Sequence, residues 1–251
     1  MSLCASKNVE HRRSEHSEKS FFGQGYMHIP SREIIKSLKI STDQMVDFAD
    51  YWNRLFLDKY MGDKGTYRFR RYGQCDFRSA SRLMVWCEHQ AYVQSHLINA
   101  LNGGIARYFE PLEEGFKDHY VLQRLTAYLA SQFDEQWGAA VNWRVRVHPY
   151  RIIATDNELG LPTPEGLHRD GVTFITSIMI RRYNILGGRT TVTNQQGEEL
   201  ASIELSDPFE LVVADDEKTM HQVSPISVEN GRIGTAYRDV LVIAFTHPSQ
   251  L

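Results

Sequence analysis

Residues 142–153, NWRVRVHPYRII, open the succession of extended runs that decides how this chain folds. VTFITSIMI (172–180), RTTVTNQ (189–195), ELASIEL (199–205), FELVVAD (209–215) and RDVLVIAFT (238–246) follow. Each is rich in the β-branched and aromatic residues that suit a pleated, half-buried surface. Turn formers separate them, among them Gly187-Gly188, Gln196-Gly197, Asp207-Pro208 and Asn230-Gly231. Many short strands divided by tight turns predict a barrel or jelly roll.

The first half reads differently. GYMHIP (25–30) suits a short strand that Pro30 stops, with Ser31 placed to cap a helical turn. A helix is expected from Ser41 to about Tyr60, because Ser41 and Gln44 have capping-box spacing and Met45, Phe48, Trp52 and Leu55 recur at helical intervals. Residues 67–77 and 82–86 look extended, as does IARYF (105–109) after Gly103-Gly104. Asp118 to Gly138 predicts a second helix, with Leu122, Leu125, Leu129, Phe133 and Trp137 along one side. The expected architecture is therefore α+β, one domain over 21–251 with helices from the N-terminal half packed outside the β core. Residues 1–20 are polar and read as a disordered tail, with order beginning near Phe21.

Bulk composition narrows the classes. A 251-residue chain that is 42% hydrophobic can bury a sizeable core, and a net charge of −3 gives no footprint for nucleic acid or an anionic membrane. Cys4, Cys75 and Cys87 lack metal or redox spacing and read as reduced thiols. The opening has no apolar leader core, and no apolar run approaches the ~18 residues of a membrane span. The expectation is a cytoplasmic protein whose partner is a small molecule, its oligomeric state open and a dimer included.

Chemistry concentrates in GLHRDG (166–171). In an extended segment His168 and Asp170 project to one side and Arg169 to the other, so an imidazole and a carboxylate can take adjacent positions on a metal. Alone this is weak, since about half of one H-x-D arises by chance in such a composition, and His16 with Glu18 supplies a decoy in the tail. Taken in isolation, a surface turn with an ion pair or hydrogen bond explains it better. Some fifty residues on, TMHQVSPI places His221 just after an apolar strand that a barrel can return beside His168. Two histidines and one carboxylate on one face leave three positions open for substrate and O2, whereas zinc favours a closed tetrahedral set. Arg238 opens the apolar strand AYRDVLVIAFT, where it must reach solvent or pair with an anion such as a carboxylate.

These residues resemble the Fe(II)/2-oxoglutarate-dependent dioxygenases, in particular a bacterial branch that includes the isoleucine dioxygenase, a hydroxylase of free aliphatic amino acids. The resemblance runs from about Gly25 to Thr246, through LHRD, Leu186–Gly188, His221–Pro225 and AYRDVLVIAF, with weaker pieces at GGIARYF and HPYR (148–151). The spacing from His221 to Arg238 implies an insertion around Glu229–Thr235, expected as a hairpin turn. The resemblance implies a double-stranded β-helix (jelly roll, cupin-like) in which His168, Asp170 and His221 hold Fe(II) and Arg238 holds the far carboxylate of 2-oxoglutarate. O2 is then consumed with release of succinate and CO2, and an unactivated C–H bond of a small substrate, a free L-amino acid or derivative, is hydroxylated. Related halogenases carry a small residue where Asp170 stands, so the carboxylate points to hydroxylation or another oxidation.

A carboxylate substrate needs a cation, and Arg68, Arg70, Arg71, Arg107, Arg144, Arg146 and Arg151 all fall on expected strands. Arg151 is the first candidate and Arg70 the second, although most such arginines are solvated. Phe174 and Thr176 share the parity of the H-x-D pair and are expected to line the pocket, or else to be plain core. Gly187 and Gly188 are assigned to a turn. The same iron chemistry directed at a base, a protein side chain or a secondary metabolite is a second reading. A non-catalytic β-helix that binds a small molecule or metal in a stress response is a third.

Overall fold

The structure, a computed structural model, describes residues 23–95, 98, 103–230 and 232–251. The expected tail over 1–20, the onset of order at Phe21 and the His16/Glu18 decoy lie outside the described residues. Helices and short strands come first: β1 (Tyr26–Ile29), α1 (Ser31–Leu38), α2 (Thr42–Asp50), β2 (Phe56–Leu57), β3 (Arg68–Arg70), β4 (Gly73–Arg78), β5 (Leu83–Trp86), α3 (Glu114–Lys117) and α4 (Tyr120–Trp137). Strands follow: β6 (Asn142–Ala154), β7 (Phe174–Tyr183), β8 (Ile185–Gly187), β9 (Thr190–Asn194), β10 (Glu199–Ile203), β11 (Leu211–Asp215), β12 (Thr219–Val223), β13 (Ile226–Val228) and β14 (Ala236–Thr246).

A nine-stranded sheet runs β1-β11-β7-β14-β6-β3-β2, with β4 also on β6 and β5 on β4. Two smaller sheets, β10-β9-β12 and β13-β8, complete the jelly-roll core. Strands distant in sequence are neighbours here. β14 runs antiparallel to β6 on one side and β7 on the other, with a bulge against β7 at Asp239/Val240.

The two faces of the large sheet have different partners. On the outer face Trp143, Val145, Phe174, Ile178, Leu241 and Phe245 pack against the helices. Val121, Leu122, Leu125, Leu129 and Phe133 of α4 are fully buried there, each contributing roughly 2 kcal/mol. On the inner face Met179, Val212 and Val240 meet Val192 of the small sheet. The site opens between the sheets on this inner side.

Several local expectations changed. The Ser41 capping box forms as expected, but α2 stops at Asp50 and continues as a 3-10 turn, Tyr51–Arg54. That turn drives Trp52 into the core, where its indole N–H donates to the carbonyls of Tyr150 (2.9 Å) and Val240 (3.2 Å) beside the bulge. Pro30, not Ser31, is the residue preceding α1, and the Ser31 hydroxyl instead donates to the Pro208 carbonyl. IARYF forms no strand and keeps only a bridge from Arg107 to Tyr92. The expected hairpin turn over 229–235 includes Gly231, which lies outside the described residues; the strands on either side of it do not pair with each other, since β13 pairs with β8 and β14 with β6 and β7. No helix among the described residues is long and apolar enough to cross a membrane.

Candidate active site

His168 lies outside the named strands, yet it exchanges both backbone hydrogen bonds with His221 of β12: His168 N–H donates to the His221 carbonyl (3.0 Å), and His221 N–H donates back (2.9 Å). Residues paired this way project their side chains to the same face. The two imidazoles accordingly stand 4.5 Å apart, centroid to centroid. Asp170 completes the group, its Oδ2 3.3 Å from His221 Nε2. One ligand atom from each of His168, Asp170 and His221 falls within 4.8 Å of the other two.

The surroundings fix these side chains. His168 Nδ1–H donates to the Gly166 carbonyl (2.9 Å), which leaves Nε2 with its lone pair free. The turn after His168 is anchored by Asp216, whose fully buried carboxylate accepts from the backbone N–H groups of Asp170 (2.9 Å), Gly171 (2.8 Å) and Val172 (3.0 Å). Sequence reading missed Asp216. Its only signal was a second acid after the apolar FELVVAD run, which has no meaning until the His168 turn is laid beside it.

Electrostatically the cluster suits a cation. Burial raises the Asp170 carboxyl above its ordinary range against the opposing pull of His168. Asp216 is raised by burial and by the Asp170 charge. Burial would depress His168, but the carboxylates of Asp170 and Glu165 outweigh it and raise it. His221 is lowered to about 3 by burial and by His168, so it stays neutral with a nitrogen available to a metal. A divalent ion among these groups would relieve the carboxylates' desolvation and use both imidazole lone pairs. The donor set, two histidines and one carboxylate, fits Fe(II) with open positions.

A cleft holds this cluster together with Arg238 and Thr190, walled by Ile152, Ile175, Val223, Val240 and Val242. Arg238 is 2% exposed, and its Nε and one Nη have no hydrogen-bond partner. Burial, and then the neighbouring Arg182, lower its pKa to about 9. No carboxylate among the described residues pairs with it. A buried guanidinium without a counter-ion costs several kcal/mol, so the cleft is built for an anion. The Thr190 hydroxyl, which sequence reading did not single out, is also buried there without a partner. Gly187 (φ 81°) and Gly188 (φ 74°) make the expected turn beside it. A Cβ on Gly187 would lie 2.2 Å from the Pro225 carbonyl oxygen.

The substrate residues expected from sequence are placed differently. Arg151 points to the outer face, where it donates to both oxygens of buried Asp239 (2.6 and 2.7 Å) and stacks on Tyr237. Phe174 stacks on Phe133 at 4.4 Å in the helix-side core, and Thr176 shares that face between Val213 and Ile243. Ile175 and Ser177 line the cleft in their stead. Alternation fails here because the chain crosses between sheets after Asp170, through Gly171 at φ 72°, and parity is reset. Arg70 does face the interior, 2% exposed beside His148 and near Asp58. Of the other expected strand arginines, Arg144 pairs with Asp76 (2.6 Å) and Arg71 with Glu113 (3.5 Å), while Arg68 and Arg107 turn inward.

The 2OG-Fe dioxygenase family model matches residues 49–244. The 3(1)-hydroxy-L-isoleucine 4-dioxygenase of Pantoea ananatis (strain AJ13355) is 26% identical over 232 residues, covering 88% of this chain and 92% of the relative. The crystal structure of a bsmA homolog from Methylobium petroleophilum PM1 superposes with a TM-score of 0.81 at 29% identity, over 91% of this chain and 90% of that one. IDO from Bacillus thuringiensis superposes with a TM-score of 0.72 at 17% identity, over 91% and 92% of the two chains, and supports the fold. The chain belongs to the 2OG-Fe dioxygenase family, whose enzymes use Fe(II), 2-oxoglutarate and O2. It is therefore an oxygenase, and the reading as a non-catalytic binding module is not favoured.

Proposed function

We propose that the protein hydroxylates an unactivated C–H bond of a free L-amino acid or a close derivative, with His168, Asp170 and His221 as iron ligands and Arg238 as the anchor of 2-oxoglutarate. The observation that carries this reading is the unpaired, buried Arg238 guanidinium in the same cleft as the two-histidine, one-carboxylate cluster. The amino-acid substrate is supported by the Pantoea relative, whose name specifies a hydroxylated isoleucine. Bound Fe(II) supplies O2 activation coupled to decarboxylation of 2-oxoglutarate to succinate and CO2.

The chain's own groups do the rest. The Gly166 carbonyl orients His168, and Asp216 holds the turn that presents Asp170. Arg238 offers a planar fork to the distal carboxylate of 2-oxoglutarate, with Thr190 as a further hydroxyl donor. Ile175, Val223, Val240 and Val242 keep water from the reacting groups. The helices share one core with the sheet that carries the site, so the chain from β1 onward acts as one domain. The free thiols Cys75 and Cys87 support a reducing, cytoplasmic setting.

The test is anaerobic titration of wild type and His221→Ala with Fe(II) and 2-oxoglutarate, followed by O2 and measurement of succinate. The visible charge-transfer band of the chelate should form in wild type alone, and free amino acids should accelerate its succinate release. A folded, iron-loaded wild type that shows neither band nor succinate refutes the proposal.

A further inference from the structure

Asp170, Glu165, Arg68 and Tyr150 border two spaces: the cleft that contains Arg238, and a smaller chamber that also reaches Arg70 and Arg107. The charges around this chamber do not all find partners. Asp58 accounts for Arg68 (2.8 Å) and lies 3.8 Å from Arg70. Arg70 also donates to His148 Nδ1 and is held between the rings of Phe109 (3.7 Å) and Tyr150 (4.4 Å), while its Nε, like that of Arg107, has no hydrogen-bond partner. Its charge is thereby spread over an acid and two aromatic faces.

Arg107 and Glu165 are different. Arg107 is 2% exposed; one Nη donates to Gln94 Oε1 (2.7 Å), the guanidinium sits over Tyr92 at 4.8 Å, and Nε has no partner. Among the described residues no carboxylate pairs with it. Among the described residues the ion-pair contact of the partly exposed Glu165 is with His168, at 3.5 Å from Nε2, the nitrogen left free by the Gly166 contact, and Arg68 feels its charge from further off. A histidine that gives that lone pair to a metal is neutral and cannot serve as the counter-ion of Glu165. Arg107, with no carboxylate partner among the described residues, and Glu165, without its histidine counter-ion once His168 ligates a metal, thus face the same chamber without pairing with each other. A simple anion would satisfy Arg107 and leave Glu165 stranded, and a simple amine would do the reverse. A zwitterion satisfies both.

We infer that this chamber receives the α-amino acid head group of the prime substrate, its carboxylate on Arg107 and its ammonium on Glu165. The inference rests on the function proposed above and adds the residues that select a free amino acid over its amides and deaminated analogues. Arg70, which shares Asp58 with Arg68 and is stacked between two rings, forms the wall of the chamber. Two head-group contacts of this kind set the selectivity: losing either one costs about 10- to 100-fold in affinity.

The test uses the Fe(II)- and 2-oxoglutarate-loaded enzyme without O2, titrated calorimetrically with the twenty standard L-amino acids. The tightest binder is then compared with its carboxamide and with its deaminated acid. Both analogues should bind at least tenfold more weakly. Arg107→Met should bring the amino acid down to the affinity of the amide and leave the amide unchanged, while Glu165→Gln should do the same relative to the deaminated acid. Affinity for 2-oxoglutarate, measured on each sample, reports an intact fold. A variant that fails this check leaves the wild-type analogue comparison to decide. Equal binding of acid, amide and deaminated acid overturns the inference, as does a loaded enzyme that binds none of the twenty. A wild type unable to bind 2-oxoglutarate overturns the functional reading, and this one with it.

Discussion

Replacing Arg238 by Met should stabilise the protein without ligands and cripple it with them. The drop of the guanidinium from the ordinary arginine range to about 9 corresponds to roughly 5 kcal/mol of cost for keeping it charged. Replacement of buried charges by well-packed apolar groups recovers about 1–4 kcal/mol of such a cost. At about 2–4 °C per kcal/mol for a chain of this size, the apoprotein Tm should rise by roughly 5 °C. The sign with pH follows. From about pH 9 up to the ordinary arginine range the unfolded chain holds a proton on Arg238 that the folded chain has released, so stability rises with pH there. The penalty is fully present below pH 9, and Arg238→Met should lack this rise when the two pH profiles are subtracted. Ligand binding should move the opposite way. Two parallel charge-assisted hydrogen bonds to a carboxylate amount to at least about a hundredfold in the 2-oxoglutarate KM. Thermal unfolding of the apo and 2-oxoglutarate-loaded proteins, with KM from succinate release, reads both effects. A variant with lower apo Tm and unchanged KM would refute the claim that this arginine awaits an anion.

Three further outcomes follow from named contacts. Asp216→Asn puts an amide where a carboxylate accepts three backbone N–H groups, and should lower iron affinity about 10- to 100-fold through misplacement of Asp170, as measured by competition with a chelator. Unchanged iron affinity would show that the turn holds itself. Arg151→Ala removes the two-pronged partner of buried Asp239, leaving Arg181 at 3.6 Å, and should cost about 1–3 kcal/mol in urea unfolding, while substrate KM in the folded variant stays put. A selective rise in KM would return Arg151 to the substrate site. Gly187→Ala forces a Cβ to within 2.2 Å of the Pro225 carbonyl oxygen at a positive φ, and should cost more than about 2 kcal/mol by the same measurement. A neutral result would mean that the turn relaxes freely.

The sequence by itself carried whatever depends on neighbours along the chain. Strand runs from Asn142 onward, the α4 stripe of Leu122, Leu125, Leu129 and Phe133, the Ser41 capping box and the Gly187-Gly188 turn are local patterns, since side-chain period and backbone φ are set within a few residues. His168, Asp170, His221 and Arg238 were legible as a motif spread over the second half of the chain. What faces the cleft was decided only by tertiary structure. The crossing between sheets at Gly171 reset the alternation and sent Phe174 and Thr176 outward. Asp239, distant in sequence but opposite Arg151 on β14, claimed that arginine. Trp52 found its carbonyl acceptors on two strands far along the chain, which ended α2 early. Asp216 became a support for Asp170, and Arg107 and Glu165 the unmatched charges of one chamber, only once segments some fifty residues apart lay side by side. A charge is paired or unpaired according to what the fold brings within about 4 Å of it, and no local pattern records that.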